Sequence, residues 1–166
     1  GIGALMRGTA ILALGSNVGD CIGNLRRAKS LLSERFPILG CAGVYKTPPA
    51  FYLDQPDFYN SALAVSAEVE SLDLLDICKQ VEKEMGRVPS FRNAPRPIDV
   101  DIIFYEGADC ISERLVIPHA GWSERDFVLA PLLDLLDDGL ISCANFPEAE
   151  RILRTKRRAY KKICTL

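Results

Sequence analysis

Imidazole and indole are almost missing from this chain: its 166 residues include one histidine, His119, and one tryptophan. A single histidine excludes His-rich metal sites and leaves a serine or cysteine nucleophile no obvious base. The six cysteines (Cys21, Cys41, Cys78, Cys110, Cys143, Cys164) form no C-x-x-C pair. They read as reduced thiols of a cytoplasmic compartment, mostly buried as small hydrophobes. No apolar run approaches the roughly 20 residues that cross a bilayer, so no membrane association is expected. Nor is there a Walker-type G-x-x-x-x-G-K-[ST], and Gly15-Ser16-Asn17 is too short to count as one. Residues 1–6 lack the basic region and apolar core of a secretory leader. They read as a cloning remnant or disordered start, and residues 1–8 are set apart from the fold on that ground. Internal repeats, low-complexity tracts and linkers are absent before about residue 145.

What is present suits one soluble domain: 48% apolar and 25% charged residues, with a net charge of −2. That balance is a poor footprint for a general nucleic-acid binder. It hides an asymmetry, because residues 151–166 carry seven basic side chains and no acidic one. This stretch reads as a solvated terminal helix or linker over 146–166, with a tail for an acidic partner as the alternative. The domain itself is expected over 9–145.

Periodicity supplies the order of elements. Residues 9–14 form a short apolar run ended by Gly15-Ser16-Asn17, a buried strand entering a turn. Asp20 can cap the next helix, where Ile22, Leu25, Ala28, Leu31 and Leu32 recur at helical spacing until Pro37. Residues 43–47 read as a strand stopped by Pro48-Pro49. Another follows over 58–69, with Phe58, Asn60, Ala62 and Ala64 on one face. A second helix starts at Ser71 or Asp73, buries Leu74, Leu75, Cys78, Val81 and Met85, and stops at Gly86. A loop over 87–97 precedes the strand 98–105. The order β-α-β-β-α-β is the split pattern of a ferredoxin-like α+β sandwich, with both helices on one sheet face. Beyond it, a short extension at 114–117 and a third helix at 123–135 are expected.

The sharpest chemical feature is Pro95-Arg96-Pro97-Ile98-Asp99-Val100-Asp101. A strand has a period of two, so Asp99 and Asp101 share one face while Ile98, Val100 and Ile102 share the other. Aspartate is disfavoured in strands, and paired hard oxygen ligands on a rigid strand suit Mg²⁺. Two carboxylates on a solvated strand face is the plainer alternative. Beside the pair, residues 87–97 hold three arginines (Arg87, Arg92, Arg96) and no acid. Arginine forks and a divalent cation together stabilise the charge of a transferring phosphate. A second group, Thr47-Pro48-Pro49 with Phe58 and Asn60, sets an aromatic face beside an amide. Phe127 could oppose it, which is how a flat heterocycle would be held. Taken singly, each ring reads more readily as a core residue than as a ligand contact.

These segments occur in one order: Ala13-Leu14-Gly15-Ser16-Asn17, Tyr45-Lys46-Thr47-Pro48-Pro49, Asp54-Gln55-Pro56-Asp57-Phe58-Tyr59-Asn60, Pro95-Arg96-Pro97-Ile98-Asp99-Val100-Asp101 and Pro118-His119. Over residues 9–135 the chain resembles the 6-hydroxymethyl-7,8-dihydropterin pyrophosphokinases of folate biosynthesis. The resemblance implies pyrophosphate transfer from ATP to the hydroxymethyl group of the pterin, with release of AMP. It implies two Mg²⁺ ions on Asp99 and Asp101, and catalytic roles for Arg87, Arg96, Asp99 and Asp101. The pterin pocket would comprise Thr47, Pro48, Ala50, Phe58, Asn60 and Phe127. ATP would contact Glu82, Arg87, Arg96, Ile102, Arg114, Val116, His119 and Arg125. A monomer is expected, with fusion to a further folate enzyme as a second expectation. No strong base is evident, so proton removal falls to a metal-polarised oxygen or to solvent. The chain departs from the family pattern at Phe91, where relatives often carry tryptophan, and at Phe58 and Val116, where Tyr and Thr are frequent. The competing reading from another class is a ferredoxin-like RNA-binding module, which would present basic and aromatic residues on its sheet.

Overall fold

The structure, a computed structural model, describes residues 8–166, so the expectation for the chain's start lies almost wholly outside the described residues. Strand β1 (Gly8–Ser16) leads into helix α1 (Cys21–Ser33), then β2 (Ile38–Cys41), β3 (Gly43–Thr47) and β4 (Phe58–Ala67). Helix α2 (Ser71–Glu84), strand β5 (Asp99–Tyr105), a hairpin of β6 (Cys110–Ile111) and β7 (Val116–Ile117), helices α3 (Asp126–Asp137) and α4 (Pro147–Leu153), and strand β8 (Lys162–Thr165) complete the chain. Asp20 caps α1 as expected, accepting from the Gly23 N–H at 3.1 Å. Gly86, at φ +84°, ends α2 in the left-handed conformation that glycine adopts without strain.

The sheet runs β5-β1-β4-β3-β8, with β2 also pairing β4, and every pairing is antiparallel. This is the ferredoxin-like order expected from the β-α-β-β-α-β succession. One layer of core lies beneath α1 and α2. Leu12 and Leu14 of β1, Leu63 and Val65 of β4, and Val100 and Ile102 of β5 meet Leu25, Leu32, Leu74 and Cys78 there. Each strand therefore sends alternate residues under the helices, and the intervening residues face the other way.

Three expectations change. The opposite sheet face is not wholly open: α3 and α4 cover one end of it, against Ile11, Ala62, Ala64, Ile103 and Phe104. Ile103 is the extra residue of a β-bulge, because Leu12 pairs Ile102 while Ile11 pairs Phe104. The bulge turns two adjacent apolar side chains toward α3. The third helix begins at Asp126, since Trp122–Glu124 form a 3-10 turn and Arg125 is extended.

The basic C-terminal stretch is neither one helix nor a free tail. Helix α4 ends at Leu153, and β8 adds to the sheet edge beside β3. Asp134 of α3 fastens it: this buried carboxylate accepts from the Gly43 N–H and the Tyr45 hydroxyl at 2.9 Å. Arg158 reaches Asp134 at 2.9 Å and Asp137 at 2.6 Å. Arg151 and Arg154 pair with Glu148 and Glu150. Much of the terminal positive charge is therefore answered inside the fold. Strand β2, absent from the sequence reading, is only four residues long and slips register at Gly40.

Candidate active site

The uncovered end of the second sheet face forms the floor of a cavity of about 570 Å³. Gly15 of the central strand pairs Asn60 on one side and Asp99 on the other. A Cβ at Gly15 would lie 3.1 Å from Asn60 Oδ1 and 3.7 Å from the Phe58 ring. The missing side chain thus keeps the floor flat between an aromatic–amide half and an acidic half. Loops 48–57 and 87–97, the β6–β7 hairpin and the start of α3 supply the walls.

On the aromatic half, Phe58 and Phe127 both line the cavity, with Thr47, Pro48 and Ala50 beside them. Asn60 is 7% exposed and donates through Nδ2 to Thr47 Oγ1 at 2.7 Å. That bond orients the amide, so its remaining hydrogen-bonding capacity is presented in one direction. The Arg96 guanidinium lies over the Phe58 ring at 5.4 Å, and its buried Nε has no partner. Arg125 lies over Phe51 at 4.9 Å. Two cavity arginines therefore rest on aromatic faces, where the ring quadrupole attracts them.

On the acidic half, Asp99 and Asp101 stand together on the cavity side of β5, and Val100 and Ile102 lie in the core below. Burial pushes the Asp101 carboxyl well up, and the adjacent Asp99 charge adds to it. Burial acts on Asp99 too, but the hydrogen bond from Asp101 and the charges of Arg96 and Arg87 outweigh it and hold Asp99 low. The two carboxyls are thus driven apart, Asp101 above and Asp99 below the ordinary carboxylate range, and titrate as a pair. Arg87 bridges Asp99 Oδ1 and Glu82 Oε2, both at 2.8 Å. Glu82, 4% exposed, also accepts from the Val100 N–H at 2.8 Å. Its side chain sits behind the cavity wall, holding β5 and Arg87 rather than facing the space. Ile102 belongs to the core under the helices and also borders the cavity.

The remaining expected ATP contacts, Arg114, Val116, His119 and Arg125, line the far wall. Arg114 pairs with Asp76 of α2 at 2.6 Å across the rim. Burial and the Arg125 charge lower the His119 pKa, and its Nδ1 lies 3.0 Å from the Ala120 carbonyl. A neutral ring with Nδ1–H donating there leaves Nε2 as an acceptor. Sequence reasoning missed Lys79, a wall residue one helical turn from Glu82 whose Nζ lies 3.4 Å from Glu82 Oε1. Its i,i+3 spacing on the face of α2 that carries Glu82 was the available signal.

Among the described residues no group of three His, Cys, Asp or Glu side chains is arranged to hold a metal. The acid pair still fits one: Mg²⁺ takes few protein carboxylates and completes its shell with water and phosphate. A carboxylate pair beside a guanidinium is a donor set that a divalent ion can take over.

An antiparallel ferredoxin-like sheet with acids, arginines and rings over a single floor defines the class: an α+β domain whose open sheet face carries one cavity with a charged half and an aromatic half. The sequence model of 7,8-dihydro-6-hydroxymethylpterin-pyrophosphokinase (HPPK) matches residues 11–137, and the chain belongs to that family. A folic acid synthesis protein of Dictyostelium discoideum is 44% identical over 124 residues, which are 75% of this chain and 19% of that protein. A mitochondrial folate synthesis bifunctional protein of Pisum sativum is 43% identical over 133 residues, 80% of this chain and 26% of its own length. The chain thus spans about a quarter or less of these two relatives. It spans far more of a 2-amino-4-hydroxy-6-hydroxymethyldihydropteridine pyrophosphokinase of Methylorubrum extorquens: 39% identity over 142 residues, 84% of this chain and 90% of that one. In structure it resembles a Plasmodium falciparum HPPK-DHPS crystal structure, with TM-score 0.62 and 16% identity, covering 80% of this chain and 41% of that one. No helix among the described residues is long and apolar enough to cross a membrane.

Proposed function

We propose that this chain transfers the terminal pyrophosphoryl group of ATP to 6-hydroxymethyl-7,8-dihydropterin. The hydroxymethyl oxygen forms a bond to the β-phosphorus and gives its proton to solvent, the bond between that phosphorus and the α–β bridging oxygen breaks, and AMP leaves with that oxygen. The observation that carries this reading is the shared floor: Phe58 and Asn60 on one side of Gly15, Asp99 on the other. A flat ring and a polyphosphate held there would be neighbours, so positioning supplies much of the rate.

In this reading Phe58 and Phe127 stack on the two faces of the pterin, and Asn60 meets its polar edge with Thr47, Pro48 and Ala50 around it. Asp99 and Asp101 would hold Mg²⁺, which when bound neutralises phosphate charge and polarises its oxygens. Arg96 leaves the Phe58 ring as the pterin takes its place, and its unpartnered Nε then has phosphate oxygens to bind. Arg87, released from Asp99, carries charge to the same phosphates, while Glu82 keeps its root close by. Arg114, Val116, His119, Arg125 and Ile102 line the nucleotide end. Closure of the 87–97 loop excludes water, the competitor for the β-phosphorus. The RNA-module alternative is disfavoured by the two aspartates on the sheet face, where a phosphate backbone would otherwise run.

The test is incubation with ATP, Mg²⁺ and the hydroxymethyl dihydropterin, with nucleotide products separated by chromatography. AMP in step with a pyrophosphorylated pterin is expected. ADP as the product, or no turnover, would overturn the reading.

A further inference from the structure

Two of the motifs that mark the sequence contain side chains without a role so far: Asn17 of Gly15-Ser16-Asn17 and Gln55 of Asp54-Gln55-Pro56. Asn17, 3% exposed at the end of the central strand, uses both ends of its amide on other loops. Its Nδ2 donates to Gln55 Oε1 at 2.8 Å and to the Pro56 carbonyl at 3.1 Å. Its Oδ1 accepts from the Arg96 N–H at 2.9 Å, and its own main-chain N–H donates to the Arg96 carbonyl at 3.1 Å. Gln55 then donates through Nε2 to the Asn93 carbonyl at 3.0 Å and to the Tyr52 carbonyl at 2.6 Å.

The two amides form a relay. The main chain of Arg96 is gripped on both sides by Asn17, which fixes the root of the guanidinium that lies over Phe58. The 48–57 loop, which carries Pro48 and Ala50, is tied through Gln55 to Asn93 in the arginine loop. Core burial cannot do this work: Phe51 and Leu53 on one loop and Val88 and Phe91 on the other are exposed. Farther out, the Tyr52 and Phe91 rings meet edge to face at 5.1 Å, a ring contact without the direction of a hydrogen bond. The two side-chain amides, with the Asn17 main-chain N–H, tie both loops to the rigid end of β1.

We propose that Asn17 and Gln55 are positioning residues that couple the loop walling the ring-binding half to the loop carrying the arginines, so that a ligand seated against one sets the height of the other. The proposal rests on the pyrophosphokinase reading for its effect on turnover. The coupling itself is a property of the ligand-free chain. Neither side chain need touch a reacting atom.

Three variants separate the bonds. Gln55→Glu keeps the acceptor for Asn17 but turns a second oxygen toward the Asn93 and Tyr52 carbonyls. Asn17→Asp keeps the acceptor for Arg96 and loses the donor to Gln55 and Pro56. Gln55→Ala removes the relay on the loop side. Hydrogen–deuterium exchange of the ligand-free proteins is expected to rise about fivefold or more across residues 88–96 in all three, with α1 and α2 unchanged. In the assay with ATP, Mg²⁺ and hydroxymethyl dihydropterin, kcat is expected to fall about tenfold while both KM values stay within about threefold. Combining Asn17→Asp with Gln55→Ala is expected to cost little more than the worse single change, because both cut one relay. Unchanged exchange over 88–96 would overturn the proposal. So would a loss carried by the pterin KM at constant kcat, which would make Gln55 a substrate contact. Global unfolding of both Gln55 variants would overturn it as well, since it would make the residue a support of the fold. Failure of the unsubstituted chain to release AMP would sink the pyrophosphokinase reading and leave the exchange result standing.

Discussion

At the scale of single residues, the acid pair has an asymmetry that substitutions can expose. Burial and the neighbouring Asp99 charge push the Asp101 carboxyl well above the usual carboxylate range. Asparagine mimics a protonated aspartic acid in shape and hydrogen bonding, so Asp101→Asn is expected to leave unfolding free energy within about 1 kcal/mol of the original. Turnover with Mg²⁺ and ATP is expected to drop by on the order of a thousandfold, because a neutral amide is a poor ligand for a hard cation. Urea melts and steady-state rates on the same preparation check both halves. Arg96 and Asn60 should separate in another way. Arg96→Ala is expected to lower kcat more than it weakens pterin binding, as the proposed action of the guanidinium on developing phosphate charge requires. Asn60→Ala is expected to weaken pterin binding about tenfold, because the heterocycle loses a fixed polar partner; titration calorimetry reads it directly.

At the scale of elements, the junction of α3, β3 and β8 is organised around one buried carboxylate. Tyr45 lies fully inside, and burial followed by the Asp134 charge raises its pKa above the usual 10. The folded protein therefore keeps this proton at pH values where the unfolded chain has lost it. The stabilisation is complete below pH 10 and disappears as pH rises through the folded value. Tyr45→Phe is expected to cost about 1 kcal/mol at pH 7, for the lost bond to Asp134. It is also expected to reduce the slope of stability against pH above 10 by one proton. Denaturant melts between pH 8 and 11 would show it; a slope as steep as the original would remove Tyr45 from the alkaline limb. β8 also covers the outer edge of β3, which would otherwise offer unpaired main-chain groups to another chain.

At the scale of the whole molecule, ligand binding and folding are expected to be separable. Arg87 already pairs with Asp99 and Glu82, which answers the negative charge of the pocket, so the apo fold needs no cation to form. A chelator is therefore expected to leave the melting temperature of the ligand-free protein unchanged. It is expected to abolish the stabilisation given by ATP, which at about 100 times its Kd is worth roughly 2.7 kcal/mol. A melting temperature that falls on chelation without nucleotide would mean a resident structural metal and contradict this account.

Much of the fold and half of the site could be read from the chain alone, because they rest on short-range regularities. A period of two paired Asp99 with Asp101 on one side of their strand and Phe58 with Asn60 on one side of theirs. Helical spacing marked α1 and α2, with Asp20 capping α1; α2 starts at Ser71 but has no side-chain cap. Proline and glycine punctuated the loops. What remained was decided by contacts between residues far apart in sequence, which no local period records. Glu82 turned its side chain away from the cavity because the nearest unmet need was inside, at the Val100 N–H. Helix α3 closed half of the second sheet face, and a seven-residue helix followed by an edge strand replaced the expected terminal helix. In the last case Asp134 drew in Gly43, Tyr45 and Arg158 together. A buried charge must collect partners from wherever the chain passes, and only the assembled sheet determines which groups those are.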